Sequence, residues 1–189
     1  MPIVTDYNSG GGKGFHLPTG TLHAVCCGVY DLGFKKTEYM GKQKEGYHTV
    51  LMFELVGHER DDGTPITVSK WYNSRNFSSE PQYKPALQKD VERWFGKAFP
   101  EEVLKNGFDL EKLYGKNCLL SIVKNDKNGK EKIESINPIM SNIQKVEPQQ
   151  RFEHVPDFIE RNRSQEHPTA EHEDSTYDEG YSNEDEILF

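Results

Sequence analysis

Hydrophobic and polar positions change their period along the chain, and the changes mark out its elements. "TLHAVCCGVYDLG", from Thr21, is rich in small and β-branched residues and closes on Gly33. It predicts a first strand, with Gly28 a bulge or bend. "YHTVLMFELVG" is almost continuously apolar, as in a strand buried on both faces along part of its length. After the turn "ERDDGTP", the stretch "ITVSKWYNSRN" alternates. Ile66, Val68, Lys70, Tyr72 and Ser74 fall on one side, and Thr67, Ser69, Trp71, Asn73 and Arg75 on the other. The period then lengthens: in "PQYKPALQKDVERWFGKAF", Leu87, Val91, Trp94 and Phe95 recur at helical spacing, with Gly96 a stop. "EEVLKN" and "DLEKLYGK" predict short helical turns. "NCLLSIVKND" and "KEKIESINPI" predict two further strands joined by the hairpin signal "DKNG".

The order is therefore three strands, a helix and two strands. That order matches the OB-fold, a partly open five-stranded Greek-key barrel; a small β-sandwich with an inserted helix is the alternative. The lysine-rich stretch "KKTEYMGKQKEG" between the first two strands is expected to be a loop. Residues 1–20, with "NSGGGKG", form a Gly-rich leader, and residues 21–145 the folded domain. Residues 146–189 lose periodicity and gain Glu, His, Pro, Ser and Asp, the composition of a disordered tail.

Charge sharpens this division. The chain carries a net −8. Residues 1–145 hold 20 Lys/Arg against 18 Asp/Glu, and residues 146–189 hold 3 against 13, so the acidity belongs to the tail. Such asymmetry points to nucleic-acid interaction or to an interaction tail. No run approaches the ~20 apolar residues of a membrane span. The three cysteines, Cys26, Cys27 and Cys118, include an adjacent pair, a poor start for a disulfide framework. The expected setting is a reducing cytoplasm.

Taken together, "HAVCCGVYDLG", "HTVLMFELVG", "ITVSKWYNS", "LQKDVERWFGKAF", "FDLEKLYGKNCLLSIV" and "ESINPI" resemble a family of bacteriophage-encoded single-stranded DNA-binding proteins, from about Gly20 to Ile139. The acidic ending "NEDEILF" adds a match, since such proteins typically end in an acidic segment with a terminal aromatic residue; here Ile-Leu precede Phe189, where the bacterial pattern has one aliphatic residue and proline. The resemblance implies non-catalytic binding of single-stranded DNA in phage replication or recombination, in the cytoplasm of the host bacterium and with no cofactor. It also implies recruitment of replication or recombination proteins through the tail. A recombination mediator or annealing protein, and a protein-interaction module, are the alternatives.

Binding single strands calls for cations that track phosphates and aromatic faces that stack bases. The third strand holds Lys70, Trp71, Tyr72 and Arg75. Trp71 shares its side with polar residues and is the expected stacking residue. Tyr72 shares its side with Ile66 and Val68 and is expected in the core, reaching DNA only if a bulge rotates it. Tyr30 is a second stacking candidate and Phe77 a groove-wall candidate, each with core or loop packing as its alternative. Lys35, Lys36, Lys42 and Lys44 lie between the first two strands; Lys124, Lys127 and Lys130 surround the last hairpin. These are the two loops that grip ligands in OB-folds, although lysines are ordinarily surface residues. Trp94 is expected in the core. In the tail, Asp185, Glu186, Ile187, Leu188 and Phe189 form a candidate partner hook, a short acidic peptide with an apolar tip.

Two other chemistries are weighed and set aside. His23, Cys26, Cys27 and Cys118 lack the paired spacing of a zinc site, and alternation separates Cys26 from Cys27. Asp61 and Asp62 adjoin Gly63, where acids serve turn geometry, and no nucleophile-base pair is evident. Glu54, alone in an apolar strand, is expected to have a basic or backbone partner.

Overall fold

The computed structural model describes residues 17–39, 41–126, 128–150 and 154–163, the side chains of 37–39, 42 and 44 apart. Five strands form one antiparallel sheet: β1 (Gly20–Tyr39), β2 (Lys42–Glu59), β3 (Pro65–Tyr72), β4 (Asn117–Lys124) and β5 (Glu131–Pro138). The helices are α1 (Ala86–Phe95), α2 (Glu101–Asn106) and α3 (Asp157–Asn162), with 3-10 turns at Pro81–Tyr83 and Leu110–Leu113. The protein is mainly β, with the expected helix between the third and fourth strands. Among the described residues no helix is long and apolar enough to cross a membrane.

The strand order is β3-β2-β1-β4-β5. The barrel expected from the element order is not closed: β3 and β5 remain the two edges, and among the described residues no backbone ladder joins them. They approach through a side chain, the Lys70 ammonium donating to the Glu134 carbonyl at 3.4 Å.

One face of the sheet packs on α1. Leu51, Phe53, Val68, Tyr72, Leu120 and Ile136 meet Leu87, Val91 and Trp94. Trp94 is core, as its spacing predicts; its indole N–H donates to the Asn117 carbonyl at 2.9 Å and its ring lies 5.7 Å from Phe53. The alternation read in β3 holds, with Ile66, Val68 and Tyr72 all buried here. Adjacent positions on β1 point oppositely, so Cys26 enters this core while Cys27 enters a second one.

That second core covers the opposite face. Cys27, Tyr30, Leu32, Val50 and Met52 are buried under Phe158 and Ile159 of α3. The chain reaches α3 along a strap that starts at Val146. There the Asn117 amide spans the Val146 peptide, accepting from its N–H at 3.0 Å and donating to its C=O at 2.8 Å. The buried Glu54 carboxylate then accepts the N–H groups of Gln149 and Gln150 at 2.8 and 2.7 Å. Tyr114 donates to the Gln150 carbonyl at 2.8 Å. Tyr30 donates to the His154 carbonyl at 3.1 Å and accepts from the Gln150 side chain at 2.7 Å.

The tail boundary expected at residue 146 is therefore corrected: 146–150 and 154–163 belong to the packed body. Their Pro, Gln and His content carries no period because they are held largely by hydrogen bonds to side chains of the sheet, with apolar contact from Val155 and from Phe158 and Ile159 of a six-residue helix. Asp185, Glu186, Ile187, Leu188 and Phe189 lie outside the described residues, as do 1–16. The backbone partner expected for Glu54 is present twice over.

Glu54→Ala leaves two strap N–H groups without an acceptor. It is expected to lower stability by about 3 kcal/mol, the order for losing hydrogen bonds to a buried charged group. Urea unfolding measures this, and limited trypsin digestion should show faster cleavage at Arg161 and Arg163.

Candidate nucleic-acid interface

The stretch expected as a loop between the first two strands is instead a two-stranded ribbon. β4 pairs with β1 only from Gly20 to Val25, and β3 pairs with β2 no further toward the ribbon than Thr49. From Gly33 and His48 outward, β1 and β2 pair only with each other, through Lys35↔Gly46 and Lys36↔Glu45 to Tyr39↔Lys42. Polar, charged composition misleads here because a hairpin is held by its backbone, and its exposed faces need no apolar alternation.

The ribbon's base is aromatic and cationic. Phe34 and Tyr47 face each other across the strands, edge to face, at 5.4 Å. The Arg75 guanidinium lies 4.2 Å over the Tyr47 ring and pairs with Asp31 at 2.6 Å. Such cation-π contact holds the guanidinium flat and oriented. Gly46 permits this docking: a Cβ there would stand 2.5 Å from the Asn73 carbonyl. Lys36 pairs with Glu45 at 3.2 Å, both well exposed, so the pair is weak and exchangeable. Lys35 is half-buried and its pKa is lowered by burial. Burial, and then the Lys35 charge, lower His48 as well, so this imidazole is neutral at pH 7 and the ribbon's cations are its lysines.

The sequence candidates divide. Arg75, Lys35 and Lys36 come together at the ribbon; Lys42 and Lys44 are placed on it opposite Tyr39 and Thr37, their side chains outside the described residues. Trp71 pairs with Val50 in the neighbouring strand, half-buried, its N–H on Ser69 Oγ at 3.3 Å and its ring 6.2 Å from Phe158. It stands on the side of β3 opposite Tyr72, as alternation predicts, and packs there against the second core beside Phe158.

Lys70 is drawn away from any such surface. Its side chain is 14% exposed and pairs with Asp90, 7% exposed, at 2.7 Å. Tyr72 is core, donating to the same carboxylate at 2.8 Å. Tyr30 is buried beneath the strap, its pKa raised by burial. Phe77 packs on the first core beside Phe99, ring centroids 5.4 Å apart. Lys124 is exposed but remote, since β4 meets the start of β1 there (Gly20↔Ile122) and the ribbon is its end. Lys127 lies outside the described residues.

Phe34, Tyr47 and Asp31 were not singled out by sequence reasoning. A hairpin register centred near Gly41 would have paired the two aromatics. The thiols are buried: Cys26 donates to the Gly28 carbonyl at 3.6 Å, and burial pushes its pKa up to about 12. Among the described residues no group of three or more His, Cys, Asp or Glu side chains is arranged to hold a metal ion.

Comparison with protein-family models, with curated proteins and with solved structures yields no match.

Two substitutions test the geometry. Lys70→Met, which leaves the buried Asp90 carboxylate with only the Tyr72 hydroxyl at 2.8 Å and Arg93 at 3.4 Å among the described residues, is expected to cost about 2–3 kcal/mol of stability, measured by urea unfolding. Gly46→Ala should undock the ribbon from the Asn73 segment, seen as loss of protection of ribbon amides in hydrogen exchange while α1 amides stay protected.

Proposed function

We propose that the protein binds single-stranded DNA without reading a specific sequence and without catalysis, in phage DNA replication or recombination. The observation that carries this reading is the lysine-bearing ribbon, which extends beyond the pairing of the other strands beside the Arg75–Tyr47 stack; the half-buried Trp71 stands on the opposite face of the sheet, beside Val50. Cations supply sequence-independent attraction to phosphates, and aromatic faces accept any base. The order β3-β2-β1-β4-β5 with a helix between β3 and β4 supports an OB-fold opened between β3 and β5; in that fold the loop joining the first two strands closes over the ligand. The resemblance of the strand and helix motifs to phage single-stranded DNA-binding proteins points the same way. On this reading the acidic segment ending in Asp185, Glu186, Ile187, Leu188 and Phe189 recruits replication or recombination partners in the host cytoplasm.

Fluorescence titration with poly-thymidine and with duplex DNA, each at low and high salt, tests the proposal. Single strands should bind far more tightly, because a duplex hides its base faces. Trp71→Ala should weaken binding by about 1–3 kcal/mol. Replacing Lys35 and Lys36 together by alanine should flatten the salt slope by about 1.4, at roughly 0.7 per phosphate contact. Equal affinity for duplex, or a response indifferent to salt, rejects the proposal.

A further inference from the structure

At the base of the ribbon, on the side away from α3, lies a cleft of about 370 Å³, in the lower range of small-ligand sites. Its apolar walls are Val29 from β1 and Phe108 and Leu110 from the segment after α2. Thr49 of β2, only 2% exposed, is among the lining residues; its hydroxyl is buried and has no hydrogen-bond partner among the described residues. Glu111 stands at the rim, and the Arg75–Asp31 pair forms the wall toward the ribbon.

A buried hydroxyl without a partner costs free energy that valine, its near-isostere and a better strand former, would not incur. The hydroxyl has a use if something entering the cleft meets it. The walls suit a flat aromatic body. Glu111 is an acceptor, so it favours an edge rich in N–H donors and disfavours carbonyl oxygens. Arg75, which lines the cleft, already pairs with Asp31 at 2.6 Å, so a phosphate arriving there would share the guanidinium with that carboxylate. We infer that this cleft takes one nucleobase of the bound strand, an amino-bearing base (adenine, cytosine or guanine) in preference to thymine, with Thr49 Oγ1 and the Glu111 carboxylate reading its polar edge. The inference rests on the single-stranded DNA reading and adds to it a preference in base composition at one position.

The test compares a short thymidine oligomer with the same oligomer carrying one central adenosine, cytidine or guanosine. Binding to the full-length protein is followed by fluorescence anisotropy, with the Thr49→Val and Glu111→Gln variants alongside. Wild-type protein should bind at least one substituted oligomer about 5-fold more tightly, the order of one well-made hydrogen bond. In both variants that ratio should fall toward one. Thr49→Val removes an unpartnered polar group and Glu111 is exposed, so melting temperatures should match or exceed wild type. Equal binding of all four oligomers overturns the base pocket and leaves DNA binding standing, as does a preference that survives in both variants. Failure of every oligomer to bind overturns the DNA reading and the pocket with it.

Discussion

A lone carboxylate inside an apolar strand is costly unless its oxygens are met, and Glu54 meets that demand by fastening the strap. Each oxygen takes one backbone N–H, from Gln149 and Gln150. The strap in turn positions α3, whose Phe158 and Ile159 close the second face of the sheet. A sheet packed on α1 alone would leave Cys27, Tyr30, Leu32, Val50 and Met52 in water. With the strap in place, the free surface shrinks to the edge of that face, where Trp71 stands, and to the ribbon beyond it. The location of any binding surface follows from this fastening.

The same logic separates cations that hold the fold from cations available to a ligand. Lys70 sits between Asp90 and the Glu134 carbonyl, and Tyr72 shares the carboxylate. This polar knot is a side-chain link between the β3 and β5 edges. Lys84 is similarly taken up by Glu92 at 2.7 Å, both largely buried. Lys36, by contrast, has among the described residues an exposed partner on the facing strand, and its charge can be exchanged for a phosphate at little cost.

Most of the strand framework was legible in the sequence because alternation and apolar runs report which faces are buried. β3 is the clearest case: its alternation placed Ile66, Val68 and Tyr72 in the first core and Trp71 on the opposite face, where it packs half-buried on the second core. It also placed Lys70 inside, although the residue type suggested a DNA contact; its position along the strand was the better guide. The ribbon was hidden because backbone pairing needs no apolar pattern. The strap was hidden because its anchors are polar contacts to residues 29 to 124 positions earlier, which no local period encodes. Tyr30 shows the consequence: exposed on a bare sheet, it is buried once the strap crosses it. The Arg75–Tyr47 stack depends on the ribbon's register and so shared its invisibility.

Photo-crosslinking most directly tests whether the ribbon and the Trp71 edge form the nucleic-acid surface. A single-stranded oligomer carrying thiothymidine would be irradiated with the full-length protein and the crosslinked peptides mapped by mass spectrometry. The account predicts adducts within residues 33–48 and 71–75. Adducts confined to α1 or to the β4–β5 hairpin, with none on the ribbon, would contradict it.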